Sequence, residues 1–144
     1  MMRRAIPNLP MALAENIGRV LRDVAREAPL TLRVQGGCME PSVSDGDEVR
    51  VRRQRIYLPG DVLAVHGKDG RLTLHRCLGY VIARDGLGVV TQADSSNTAD
   101  TRVPLDRVIG RAELPSPPLS TRVRSVTRYA RWFGAAAARR VSRP

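Results

Sequence analysis

At 144 residues the chain is long enough for one modest hydrophobic core and too short for two. Aromatic residues are only 3% of the total, so that core must be built from Val, Leu, Ile and Ala. The formal charge of +10 is unevenly placed: residues 31–114 carry twelve basic against eleven acidic side chains, whereas residues 115–144 carry seven Arg and no acid. The middle of the chain therefore lacks the field of a dedicated nucleic-acid binder, and the basicity belongs to the C-terminal segment.

No run approaches the ~18 apolar residues of a membrane-spanning helix. The residues after Met1-Met2-Arg3-Arg4 are interrupted by Pro7, Asn8, Pro10, Glu15 and Asn16, so no secretory leader is expected. The expected compartment is the cytoplasm, where Cys38 and Cys77 would be thiols.

In chain order, residues 10–28 place Leu13, Ile17, Val20, Leu21, Val24 and Ala28 at helical spacing, with Pro10 near the first turn and Pro29 after the last. The period then changes to two. Leu30, Leu32 and Val34 alternate with polar residues, and Glu48–Arg53, Asp61–Val65, Arg71–Val81 and Leu87–Thr91 read as short strands. Asp69-Gly70 and Asp85-Gly86 fall where tight hairpins need positive φ. Leu105–Leu114 reads as a closing strand, and Pro115, Pro117 and Pro118 as a linker.

Beyond the linker, Leu119, Val123, Val126, Ala130, Phe133, Ala137 and Val141 recur every three or four residues, opposite Arg124, Arg128, Arg131 and Arg139. The residues leave open whether this basic helix packs on its own domain or docks on anionic lipid or a partner. The organisation expected is an N-terminal helix (1–29), a mainly β domain with a coiled antiparallel sheet (30–114), a Pro-rich linker (115–118) and a basic amphipathic helix (119–144).

Two glycines before Cys38 allow a sharp turn that presents its thiol on a loop with a neighbouring amide free. A thiol needs a base, and the chain has two histidines. His66 adjoins Gly67-Lys68-Asp69-Gly70 and is expected in solvent at a hairpin end, whereas His75 lies mid-strand, where an imidazole needs a partner or a task. His75 is the better base. Zinc ligation by Cys38, His66, His75 and Cys77 is disfavoured because no pair has the close spacing of a zinc knuckle, and no metal or other cofactor is expected. Cys77 shares a strand face with His75 and could approach Cys38 as a disulfide partner.

Gly36-Gly37-Cys38-Met39-Glu40-Pro41 is followed in order by Gly46-Asp47, Leu58-Pro59-Gly60-Asp61-Val62, His75-Arg76, Ala99-Asp100-Thr101-Arg102 and Val108-Ile109-Gly110-Arg111. In this order the elements resemble the signal peptidase I and SOS-repressor peptidase superfamily, the first occupying its Gly-x-Ser-Met-x-Pro nucleophile box and the next two matching the motifs that follow it. His75-Arg76 stands where bacterial signal peptidases have Lys-Arg, and is similar to the Ser/His branch of the endoplasmic reticulum and archaea. Ala93-Asp94, Asn97 and Ala99-Asp100-Thr101-Arg102 match the late acidic box, and Val108-Ile109-Gly110-Arg111 the terminal element.

The resemblance spans about Leu32 to Ala112 and implies a coiled all-β peptidase fold acting on a peptide or protein substrate. It implies Cys38 as nucleophile, His75 as base and Asp100 as the acid orienting the imidazole, with Asp94 the competitor for that last role. Gly36, Gly37 and Met39 would flank the oxyanion and substrate. Arg76 and Arg102 are expected to hold loops by salt bridges, and Asp47 and Asp61 to be turn residues.

Three departures accompany it. Cys replaces Ser, which is chemically competent. Gly36 replaces a residue that in some signal peptidases donates a hydroxyl to the oxyanion, and losing such a donor costs about 10²- to 10³-fold in rate. The chain is also expected to work without the membrane anchor typical of signal peptidases. A Cys38 thiol paired with His75 is expected to titrate below the ~8.5 of a free thiol. The rival readings are a non-catalytic peptide-binding relative and a repressor-type regulator. The second is disfavoured because a helix-turn-helix needs more than the one helix before Leu30.

Overall fold

The computed structural model describes residues 11–67 and 70–142. Pro10, Lys68 and Asp69 lie outside the described residues. The first helix, α1 (Met11–Glu27), leads into seven strands: β1 (Leu30–Arg33), β2 (Glu48–Arg52), β3 (Val62–His66), β4 (Leu72–Ala83), β5 (Gly86–Gln92), β6 (Val103–Pro104) and β7 (Val108–Ala112). A 3₁₀ turn (Leu105–Arg107) takes the first part of the expected closing strand, and α2 (Leu119–Val141) ends the described chain.

The strands form one curled antiparallel sheet in the order β1-β2-β7-β3-β4-β5-β6. The fold class expected from the sequence is the one observed: mainly β, with one helix before the sheet and one after it. The β4–β5 hairpin closes at Ala83↔Gly86, with Gly86 at φ +109 where a residue with a Cβ would be strained.

Alternation along β3 and β4 splits the core between the two sheet faces. Val62, Ala64 and Leu74 join Val49, Val51, Ile109 and Ala25 of α1, whereas Leu63, Val65 and Cys77 join Tyr57, Val89 and Val108. The two thiols are thereby separated. Cys38 packs at the edge of the first cluster and Cys77 is fully buried in the second, and both are free.

His66 is not at a solvent-exposed hairpin end. Its side chain is buried beneath α1, where a Cβ on Gly18 would come within 2.8 Å of its Nδ1. Strand β3 is buried on both faces, so it carries no alternation to reveal which end meets water.

Helix α2 lies along β4 rather than standing off as a tail. The Tyr129 ring lies over Gly79, where any Cβ would come within 2.7 Å of it, and the Tyr129 hydroxyl donates to Tyr80 O. Arg122 donates to Pro59 O (3.0 Å) and pairs at 3.3 Å with the buried Asp61, which also accepts from Leu58 N (2.9 Å). Asp61 is thus the expected turn residue and also an anchor for α2. The inward face of α2 is built around Arg122, Ser125 and Tyr129, so the apolar stripe seen in the sequence points elsewhere: Val123 is 55% exposed and Phe133 54%. Among the described residues no helix is long and apolar enough to cross a membrane.

Candidate active site

The segment between β1 and β2 closes on itself through Val34 N to Asp47 O (2.8 Å) and Gly46 N to Val34 O (2.9 Å). Gly36 adopts φ +91, accessible without strain only to glycine, and its N–H donates to Asp45 Oδ1 at 2.8 Å. That amide is therefore engaged by Asp45 and is no oxyanion donor. Met39 is 1% exposed, within the first core cluster, so its side chain anchors the loop from below and lines no open surface beside Cys38. Asp47 caps the turn, accepting from Ser44 N at 2.9 Å.

Cys38 lies between these anchors at an open strand edge. Residues 72–75 of β4 pair with β3 alone, because pairing with β5 begins at Arg76↔Gln92. At that edge Cys38 Sγ donates to Leu74 O at 3.5 Å, one residue from His75, and Cys38 O accepts from Ser95 N at 3.1 Å. The Gly36–Pro41 turn, the strand carrying His75 and the loop that follows β5 therefore converge.

His75 Nδ1 lies 2.5 Å from Asp100 Oδ2, which also accepts from Thr91 Oγ1 at 2.8 Å. Asp100 is itself fixed to the sheet by its N–H, which donates to Thr91 O at 2.8 Å. A carboxylate accepting at Nδ1 assigns the proton to that nitrogen and leaves Nε2 as the basic site. Among the described residues Nε2 makes no hydrogen bond.

Asp94 is committed elsewhere. It receives a two-pronged Arg76 guanidinium, Nε to Oδ1 at 2.7 Å and an Nη to Oδ2 at 2.6 Å, and Ser42 Oγ donates to it at 3.2 Å. Arg76 also donates to Gly60 O at 2.7 Å. This partly buried lattice ties the Cys38 loop to β4 and to the late loop, so the two aspartates divide into one beside the imidazole and one in the scaffold. Arg102 spans Asp85 (2.9 Å) and Gly86 O (2.5 Å), the loop-holding role expected of it.

Cys38 departs from the expected low-pKa thiol. Burial pushes it above the ordinary thiol value, hydrogen bonding from the backbone opposes this, and the negative charges of Asp100 and Asp94 push it up further. At rest the sulfur is a protonated donor to Leu74 O rather than a thiolate.

Ser42, Thr91, Ser95 and the Leu74 carbonyl escaped the sequence reading. Only Thr91 had a signal available, because the hairpin register sets it opposite Cys77, diagonal to His75. Among the described residues no three His, Cys, Asp or Glu side chains gather as a metal site. No protein-family model matches this chain, and no curated protein matches it significantly.

Proposed function

We propose that the chain is a signal-peptidase-like endopeptidase that removes a leader or pro-segment by acyl transfer through Cys38, His75 and Asp100. The observation that carries this reading is the His75–Asp100 pair at 2.5 Å, set one residue from the carbonyl that holds the Cys38 thiol. A hydroxyl-anchored carboxylate behind an imidazole with a free nitrogen, beside a thiol on a glycine turn, is the arrangement acyl transfer needs.

In the reaction the thiol leaves Leu74 O and Sγ attacks the scissile carbonyl carbon while its proton passes to His75 Nε2. Asp100 stabilises the imidazolium that forms. The C–N bond then breaks, His75 returns the proton to the leaving amine, and a thioester remains on Cys38. Water attacks the thioester, gives its proton to His75, and the C–S bond breaks. The product carboxylic acid departs as the thiol is restored. With the Gly36 amide engaged, the Cys38 N–H is the donor left for the oxyanion.

The proposal extends to a peripheral seat on anionic lipid. The outward stripe of α2, Leu119, Val123, Val126, Phe133 and Val141, is exposed, and Arg131, Arg139 and Arg140 are exposed along the same helix. Exposed apolar side chains and guanidiniums on one helix complement a negatively charged headgroup layer. The expected place of work is the inner face of the cytoplasmic membrane.

A non-catalytic peptide-binding module is the second reading, favoured by the protonated thiol and its bond to Leu74 O. Incubation with a peptide library derived from a denatured proteome separates the two. The protease produces a defined set of new N-termini that Cys38→Ala does not, whereas a binding module produces none.

A further inference from the structure

A groove of about 230 Å³ runs between the N-terminal half of α2 and the segment that follows Cys38. One wall is Pro41 and Ser42, the other is Ser125 with Arg124 and Arg128, and the Arg76–Asp94 pair forms part of the lining. The charges in it do not cancel: Arg76, Arg124 and Arg128 line it against Asp94 and Glu40, and of the two acids Asp94 is occupied by Arg76 while the Glu40 carboxyl packs over Gly37, where a Cβ would lie 3.1 Å from it. Among the described residues neither Arg124 nor Arg128 forms a salt bridge. Two guanidiniums therefore line a recess whose facing wall, Pro41 and Ser42, lies three to four residues along the chain from Cys38, and the recess is large enough for a side chain and some water.

Resting on the peptidase reading, we infer that this groove is a substrate subsite for a carboxylate, and that Arg124 and Arg128 set the specificity of cleavage. A planar guanidinium matches a carboxylate through paired hydrogen bonds, and a neutral amide of the same shape leaves those donors without their charge partner. A chain lying across Cys38 with its scissile carbonyl at the thiol places a flanking residue in the groove. The carboxylate is that of an Asp or Glu beside the cut, or the free C-terminus of a short segment.

The test uses full-length Cys38→Ala protein, immobilised, and a mixed octapeptide library with acetylated N-termini. One series is amidated at the C-terminus with a fixed Asp, Glu, Asn, Gln or Lys, and a second has no acidic residue and a C-terminus either free or amidated. Acidic peptides of one series should be retained about tenfold over their neutral counterparts, the value of one charge-assisted hydrogen bond. Which series is retained tells a side-chain carboxylate from a terminal one. Arg124→Gln and Arg128→Gln should each bring the ratio towards one, and Arg124→Glu, at an exposed position, should favour peptides with Lys at the same place. Equal retention of acidic and neutral peptides, or a preference that survives both Arg→Gln changes, overturns the inference. The wild-type protein is assayed for cleavage of the same library. Cleavage without carboxylate preference removes the subsite and leaves the peptidase, whereas retention without cleavage leaves the subsite and removes the peptidase.

Discussion

Replacing Asp100 by Asn separates an orienting acid from a structural one. Asp100 Oδ2 accepts from both His75 Nδ1 and Thr91 Oγ1, and the isosteric amide can keep one of these contacts, so the fold should survive. What is lost is the charge behind the imidazolium. A hydrogen bond to a charged group contributes about 1.5–3 kcal/mol. The His75 and Asp100 side chains are 21% and 30% exposed, and solvent screening draws the value towards the lower part of that range. At about 2 kcal/mol, kcat/KM should fall about 30-fold, and further if the amide stabilises the wrong tautomer. The thiol supplies a second readout. Burial, then the charge of Asp100, holds Cys38 above its ordinary value, so alkylation by iodoacetamide should titrate above the ~8.5 of a free thiol, and Asp100→Asn should move that titration down. Unchanged kcat/KM in Asp100→Asn, or a wild-type Cys38 that alkylates with an apparent pKa below ~8.5, would show that the Asp100 charge acts on neither the imidazole nor the thiol.

Asp94→Asn should behave in the opposite way, costing about 3 kcal/mol in denaturant unfolding because the buried Arg76 loses its counter-charge; a fully stable variant with no activity would instead make Asp94 the orienting acid. Cys38→Ser should keep measurable cleavage, since the hydroxyl can use the same base, and complete loss with an intact fold would show that the site is tuned to sulfur. Burial pushes Cys77 up to about 12 from 9.0, so the folded chain retains a proton that the unfolded chain releases, and stability falls as pH rises above about 9. Three units correspond to about 4 kcal/mol lost by pH 12; Tyr57 and Tyr80, also raised by burial, act with the same sign from about pH 10, so Cys77→Ala should flatten the slope between pH 9 and 10, and an unchanged slope there contradicts the assignment. Binding to vesicles containing anionic lipid should weaken about 10²-fold when Arg131, Arg139 and Arg140 are replaced together, at about 1 kcal/mol each, with the groove arginines left in place; indifference of the intact protein to such vesicles at low salt removes the lipid seat.

The sheet was legible because alternation, Asp-Gly pairs and prolines act locally, and β1, β2, β4 and β5 lie within two residues of where the pattern puts them. His66 was misplaced because Val62–His66 is buried throughout, and what covers the imidazole is a glycine in α1 more than forty residues earlier. The inward face of α2 was hidden for a related reason. Arg122 and Tyr129 look like surface residues until Asp61 and Gly79 are known to lie beneath them, and no helical period encodes those partners. At the site, the box around Cys38 and the mid-strand position of His75 were readable. The division of labour between Asp94 and Asp100 depends on which of them reaches Arg76, a matter of the path of the late loop rather than of spacing.

Passage of an acyl group through Cys38 is read out by acid-quenched intact-mass analysis with a mixture of acetyl-dipeptide p-nitrophenyl esters. Wild-type protein should gain a single hydroxylamine-labile acyl group located at Cys38, more slowly in His75→Ala, with none on Cys38→Ala even though Cys77 remains. Cleavage of peptides with no such adduct, or acylation at equal rates in the wild type and in His75→Ala, would contradict a Cys38–His75–Asp100 mechanism.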